Sequence, residues 1–248
     1  MERSMFTKPQ QNTYDQFADI YAQSYAQPRT TGFNANLDLV IPRLVEVAGS
    51  VDGLTVLDAG CGEGIVSRSL VGTATRVVGI DIVPQLIAYA RARDVTQSLT
   101  YEVHDLSRPL PHYHHTFDLI VSNLVLNDVP DYRGFITTLS ASLKPGGRIV
   151  LSLNNPYSAL LREKVDNYFD TEAMAQYVFG PAIYFHRTME QYIHAFHAAD
   201  LVLCRLYDVH MTEAMVAQLP EKNRHFPWYS FYHRFPFMLI LELIKHLA

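Results

Sequence analysis

Between residues 54 and 206, short apolar runs alternate with segments of helical periodicity about ten residues long. This alternation limits what the chain can fold into more than any other feature. Leu54–Asp58, Arg76–Ile80, Leu99–Val103, Phe117–Ser122, Arg148–Leu153 and Leu201–Leu206 read as buried strands. Glu63–Val71, Gln85–Arg93, Tyr132–Leu143 and Met189–Ala199 read as helices between them. The punctuation agrees. Pro84 sits in a first helical turn, where its missing N–H costs nothing. Lys144-Pro145-Gly146-Gly147 stops the third helix, and Thr188 with Gln191 forms a capping box. Strands that are apolar throughout and separated by helices build a parallel sheet covered on both faces. The expected fold is therefore α/β, doubly wound. The last run, Phe237–Leu241, has no helix before it and is expected to return hairpin-like at the sheet edge.

Composition narrows the function classes. The chain has 248 residues, 48% of them hydrophobic and 18% charged, which suits one globular domain with a real core. The net charge of −5 and the lack of a basic run argue against nucleic-acid partners. Two cysteines, Cys61 and Cys204, make a disulfide framework improbable, so a reducing cytoplasm is expected. The N-terminus lacks the apolar core of a signal peptide. The run Phe235–Ile244 is broken by Pro236 and Glu242 and is too short to cross a membrane. Three aromatic-rich segments stand outside the alternation: residues 1–50, 154–187 and 207–235. Ligands of parallel sheets bind beyond the carboxyl ends of the strands. These segments are expected to form a helical lid and a substrate cap there, for a small hydrophobic or aromatic substrate.

The stretch Val56-Leu57-Asp58-Ala59-Gly60-Cys61-Gly62-Glu63-Gly64 follows the first strand. Glycines at a strand-to-helix turn let backbone approach a ligand closely. A dinucleotide fingerprint fits badly, because the two-residue gap of GxGxxG is missing. Asp58 and Glu63 also place carboxylates where a pyrophosphate would lie, and like-charge juxtaposition costs several kcal/mol. The loop instead suits an adenosine that carries positive charge and no phosphate, as S-adenosylmethionine does. Asp58 can then serve its amino-acid end. Asp81, closing the second strand, can accept from the ribose hydroxyls. Asp105, in His104-Asp105-Leu106, can accept from the adenine amine, with Ile82 and Leu106 against the ring. Gly60, Cys61, Gly62 and Gly64 supply the close backbone. Ser122 and Asn123 pass by the methionine end.

The series VLDAGCGEG, VVGIDIVPQLI, HDL, FDLIVSNLVLNDV and LKPGGRIVLSL resembles, in order and spacing over residues 54–153, the class I S-adenosylmethionine-dependent methyltransferases. YDQFADIYAQSY and YFHRTMEQYIHAFHAADL are similar to small-molecule members. The resemblance implies a seven-stranded sheet of order 3-2-1-4-5-7-6, with strand 7 antiparallel. It also implies that Tyr14 meets the cofactor's amino-acid end. Tyr14, Phe17, Tyr21 and Tyr25 recur at near-helical spacing. They suit either a helix packed on the core or a lid whose rings face the sulfonium. Arg29 is a candidate for the cofactor carboxylate.

His112-Tyr113-His114-His115 matches no zinc spacing and reads as a solvated loop, so no metal is expected. His186, ending the cap insertion, is the candidate catalytic base for a hydroxyl or ammonium nucleophile; His210 and His225 are weaker ones. Two rivals to methyl transfer share these features. One is a cofactor-binding enzyme that catalyses a rearrangement or cyclisation without methylating. The other is a non-catalytic subunit, against which Asp58, Asp81 and Asp105 speak. The chain is expected to act as a monomer or homodimer on a small molecule, away from membranes.

Overall fold

The computed structural model describes residues 14, 18–26, 34–72, 74, 76–95, 99–161, 167–171, 173–177, 181–218 and 233–246. Arg29, Phe17 and His225 lie outside these residues, as do residues 219–232 of the third aromatic segment.

The alternation becomes one seven-stranded sheet. Its strands are β1 (Thr55–Ala59), β2 (Arg76–Asp81), β3 (Leu99–Val103), β4 (Phe117–Asn123), β5 (Leu143–Asn154), β8 (Leu201–Val209) and β9 (Met238–Lys245). Their spatial order is β3-β2-β1-β4-β5-β9-β8. β3 through β5 pair in parallel, while β9 runs antiparallel to both neighbours. This is the order implied by the resemblance. The position of β9 corrects the expectation drawn from periodicity: the strand lies inside the sheet, between β5 and β8, and β8 forms the edge. The reason is visible in its burial. Leu239, Ile240, Leu241 and Leu243 are all buried, and a strand apolar on both faces needs cover on both.

Successive strand residues point to opposite faces, so the sheet carries two cores. Leu57, Val78, Ile120, Ile149 and Leu241 face α5 (Tyr132–Ser142) and α7 (Met189–Ala198). Val56, Val77, Leu119, Val150 and Ile240 face the other way. They meet α2 (Ile41–Ala48), entered through a π-helical turn at Asn36–Val40, and α3 (Ile65–Ser69). Within the segment 1–50, Leu39 to Ala48 thus packs into the core. α1 (Ala18–Ala26) instead sets Ala18 and Ala22 on Val83 and Leu86 of α4 (Pro84–Arg93) and its entry.

The segment 154–187 contains α6 (Pro156–Leu161) and a hairpin, β6 (Ala173–Tyr177) with β7 (Pro181–Phe185). The sequence reading placed no strands in this segment. α8 (Glu213–Gln218) follows β8. Among the described residues no helix is long and apolar enough to cross a membrane.

α7 begins as its sequence says. Thr188 Oγ1 accepts from the Gln191 N–H at 3.2 Å, and Gln191 Oε1 accepts from the Thr188 N–H at 2.9 Å. Both donors would otherwise be orphaned at a helix start. Thr188→Ala is expected to lower stability by about 1 kcal/mol, and Thr188→Ser to restore most of it. Urea unfolding of the three proteins checks this; equal midpoints for wild type and the alanine variant would refute the cap's role.

Candidate functional site

The loop Gly60–Gly64 carries the chain from β1 into α3 at the carboxyl edge of the sheet. It is tied to β2. The Gly60 and Cys61 N–H groups donate to the Ile80 carbonyl at 2.8 and 3.0 Å. Asp81 Oδ2 accepts from the Gly62 N–H at 2.8 Å, and its Oδ1 accepts from the Val83 N–H at 2.9 Å. Gly60 has φ +77°, and a Cβ there would stand 2.3 Å from Val125 Cγ2. Only glycine fits both the backbone conformation and the space. Gly62, at φ +53°, has a looser setting: a Cβ would meet the Tyr21 ring at 3.7 Å. The backbone there is open toward α1.

Tyr21, Asn36, Ile41, Asp58, Gly60, Cys61, Glu63, Ile65, Val66 and Asn123 line an open cleft of about 330 Å³. Five of these belong to the candidate set: Asp58, Gly60, Cys61, Asn123 and Tyr21. Asn36 and Ile41 were missed by the sequence reading. A signal for them existed. Asn34 Oδ1 accepts from the Asn36 and Leu37 N–H groups at 3.0 and 3.1 Å, while Asp38 Oδ2 accepts from the Asn34 N–H at 2.7 Å. Asn-x-x-x-Asp is a helix-start pattern, and it delivers Asn36 to Asn123. The Asn123 Nδ2 donates to Asn36 Oδ1 at 3.0 Å, and Asn123 Oδ1 accepts from Ser152 Oγ at 2.8 Å.

The charge of the cleft differs from the sequence picture. Glu63 is 2% exposed and pairs with Arg93, which reaches across from the end of α4. Its charge is therefore spent within the protein and does not repel a ligand. Arg93 escaped notice because its contact spans thirty positions of sequence. The negative character of the cleft rests on Asp58 and Asp81. Asp58 is 1% exposed. Its Oδ2 accepts from Ser67 Oγ at 2.6 Å, and its buried Oδ1 has no partner. Burial pushes its carboxyl up to about 7, against the lowering effect of the Ser67 bonds. Burial likewise holds the Cys61 thiol well above its ordinary value, so Cys61 is a packing residue and not a thiolate.

The other candidates spread along the same edge. Ser122 is buried, and its Oγ donates to the Ala59 carbonyl at 2.8 Å, bracing β4 on β1. Asp105 Oδ1 accepts from the Ser107 N–H and Oγ at 2.9 and 2.6 Å. His104 anchors the end of β3 through its N–H, which donates to the Asp81 carbonyl at 3.0 Å. Ile82 is 44% exposed, whereas Leu106 is buried in the main core. Gly64, at φ +79°, backs onto Tyr101, whose hydroxyl would lie 2.4 Å from a Cβ. The Tyr14 hydroxyl donates to Asp128 Oδ2 at 3.0 Å, and its ring meets Tyr21 edge-on at 5.6 Å.

His186 lies apart from the cleft lining. It is 1% exposed; its Nε2 lies 2.8 Å from the Tyr168 carbonyl oxygen, and its Nδ1 has no partner. The carbonyl can only accept, so Nε2 carries the proton and Nδ1 the lone pair. Tyr168 stacks on Tyr157 at 5.1 Å and meets His186 edge-on. Next in sequence, Arg187 donates to the carbonyls of Leu126, Val129 and Pro130 at 2.8, 2.6 and 3.1 Å. It also stacks over Tyr132 at 4.3 Å. Arg187 therefore pins the loop that follows Asn123. His210 is exposed on the strand's far end. His114 and His115 stack on each other at 3.9 Å, and His112 faces Glu102 at 3.4 Å. Among the described residues no group of three His, Cys, Asp or Glu side chains could hold a metal.

An orphaned buried carboxyl oxygen beside an open glycine backbone, with a second acid closing β2, fits a ligand that brings positive charge and hydrogen-bond donors. With the strand order, this defines the fold of the class I S-adenosylmethionine-dependent methyltransferases. Residues 57–151 match the family model described as a methyltransferase domain. The chain is 34% identical over 108 residues to a ubiquinone biosynthesis O-methyltransferase of Xylella fastidiosa, covering 43% of this chain and 44% of that one. It is 33% identical over 117 residues to the enzyme of the same name from Xanthomonas oryzae, covering 46% and 49%. The similarity thus spans about half the length of these relatives. Among solved structures, an S-adenosylmethionine-dependent methyltransferase from Mesorhizobium loti superposes with a TM-score of 0.68 at 24% identity, covering 82% of this chain and 96% of that one. The [4+2]-cyclase SpnF superposes with 0.63 at 18% identity, covering 95% and 94%.

The state of Asp58 has a measurable signature. A carboxyl raised to about 7 when folded and near 3.8 when free binds more protons in the native state between those values. Stability of the ligand-free protein should therefore fall as pH rises from about 4 to 7, and level off above. Asp58→Asn should remove this component. The difference between the two proteins is expected to grow by roughly 4 kcal/mol across that window. Denaturant unfolding at several pH values checks it; a constant difference would show that Asp58 is ionised throughout.

Proposed function

We propose that the protein is an S-adenosylmethionine-dependent methyltransferase that methylates a hydroxyl group of a small aromatic or hydrophobic molecule. The observation that carries the reading is the unpartnered Asp58 Oδ1, buried at the mouth of the glycine loop. A cationic amino group is the partner it lacks. Asp58 would hold that group, directly or through water, and Gly60 to Gly64 would pass their backbone along the ligand. Asp81, at the carboxyl end of β2, would accept from the ribose hydroxyls. Ile82 is open for an adenine face, and Asp105, half-exposed with Arg108 Nε 3.9 Å from its Oδ2, would accept from its amine. Tyr21, on the cleft wall, would face the sulfonium, and Tyr14 would steady it. Arg29 stays the candidate for the carboxylate.

When bound, the cofactor supplies an electrophilic methyl group. The protein's part is to align acceptor and donor, which is worth about 7–11 kcal/mol of barrier, and to exclude water. The hydroxyl acceptor follows the relatives' names as O-methyltransferases. Tyr157, Tyr168 and Phe169 offer rings on the cap side of the site. Within that cap, His186 Nδ1 is the base nominated by the sequence. The SpnF fold carries a different reaction, so architecture does not separate transfer from cyclisation; the sequence match over residues 57–151 favours transfer. Two free cysteines, Cys61 and Cys204, accord with a reducing cytoplasm. We assign a monomer or homodimer with no nucleic-acid partner.

Calorimetry should detect S-adenosylmethionine binding, with NAD at least tenfold weaker. Asp81→Ala should cut cofactor affinity by at least about tenfold, the loss of one or two charged hydrogen bonds. Affinity should rise between pH 6 and 8, because the ammonium pairs with ionised Asp58. Formation of S-adenosylhomocysteine, read as adenine release after nucleosidase treatment, with a catechol as acceptor, tests transfer itself. Cofactor binding without any such release from hydroxyl acceptors would turn the assignment toward a non-methylating reaction.

A further inference from the structure

His186 is sealed at 1% exposure, but a second proton acceptor stands at the same edge. β4 ends at Asn123 on the cleft wall, and the chain then turns sharply. Leu124 takes φ +58°, Val125 presses on Gly60, and the Asp128 N–H closes the turn onto the Val125 carbonyl at 2.8 Å. This turn sets Asp128, partly buried, five residues past Asn123 and against Tyr14. Its Oδ2 accepts from Tyr14, whose ring abuts Tyr21 on the cleft wall. Its Oδ1 makes no bond with any described residue. Tyr14 faces it from the N-terminal segment, Arg187 from the segment after β7, and Tyr192 from α7. Arg187 is held by three carbonyls and does not close on the carboxylate as an ion pair. The Tyr192 hydroxyl is taken up with Asn127, at 3.1 Å.

Resting on the methyltransferase reading, we propose that Asp128, and not His186, is the general base for the acceptor hydroxyl, and that Tyr14 positions it. In the step, the hydroxyl proton passes to Asp128 Oδ1. The acceptor oxygen's freed pair forms the new O–CH3 bond, and the S–CH3 bond breaks with its electron pair left on sulfur. Asp128 then loses the proton to water. Burial holds the carboxyl at about 7, while the Tyr14 bond and Arg187 pull it down. A base with that value is half available at neutral pH and strong enough to take a phenolic proton as the bond forms.

The test uses the full chain, with S-adenosylmethionine binding measured by calorimetry and methylation of catechol followed from pH 5.5 to 9. With S-adenosylmethionine saturating, so that the pH-dependent cofactor affinity set by Asp58 drops out, wild-type kcat/KM for catechol should rise about tenfold per pH unit below an inflection near 7 and level above it. Asp128→Asn should lose the inflection and on the order of 100-fold or more in kcat at pH 8, with cofactor affinity kept within about threefold. Asp128→Glu should recover part of the rate. Tyr14→Phe removes a bond that favours the carboxylate, so the inflection should move to higher pH. A readout independent of turnover is the Asp128 carboxyl resonance in 13C-aspartate-labelled protein. It should titrate near 7 in wild type and higher in Tyr14→Phe. Turnover and inflection that survive Asp128→Asn but vanish in His186→Gln would overturn the assignment. So would a wild-type protein that binds the cofactor and leaves catechol unmethylated. Failure of wild type to bind the cofactor would sink the methyltransferase reading, and this proposal with it.

Discussion

The site is organised by one carboxylate used twice. Asp81, at the end of β2, accepts the Gly62 and Val83 N–H groups. One bond fixes the glycine loop that leaves β1, and the other fixes the entry to α4. The two strand ends thereby share one rigid edge, and α1 docks on Val83 and Leu86 just beyond it. Backbone donors held by a charged acceptor are stronger than neutral pairs. The loop can keep three left-handed glycines at φ between +53° and +79° because this anchor and the Ile80 carbonyl overdetermine its course.

Charge in the cleft is set by how each acid is partnered, not by how many acids there are. Glu63 and Asp58 are both nearly inaccessible. Glu63 has Arg93 as an ion-pair partner inside the protein. Asp58 has only a hydroxyl, so burial drives it toward the neutral form. An unpaired buried charge is costly enough that a carboxyl protonates before it accepts that cost. A cationic ligand reverses the balance, which makes Asp58 responsive to binding in a way Glu63 is not. Asp128 follows the same rule on the far side of Tyr14.

Much of this was legible from residues. Apolar strand runs, Pro84, the Thr188–Gln191 box and the glycine loop each act locally, through periodicity, a missing N–H, a side-chain cap and backbone freedom. Asp58, Gly60, Cys61, Asn123 and Tyr21 do meet in one cleft. Other candidates read correctly as edge residues but not for their contacts. Ser122 is a brace between strands, Leu106 belongs to the core, and Tyr14 spends its hydroxyl on Asp128. The partners of Ser122 and Tyr14 lie 63 and 114 positions away, and the core that takes Leu106 draws on residues from Leu57 to Leu243.

The sequence by itself determined the doubly wound sheet, the acid-fringed glycine loop at its edge and the class of ligand such a loop can accept. Each follows from side-chain period and from steric limits that act within a few residues. Only the tertiary structure decided that Arg93 pairs with Glu63 and that Asp128 meets Tyr14. Charge pairing and burial are set by which distant segments come into contact, and no local pattern encodes that.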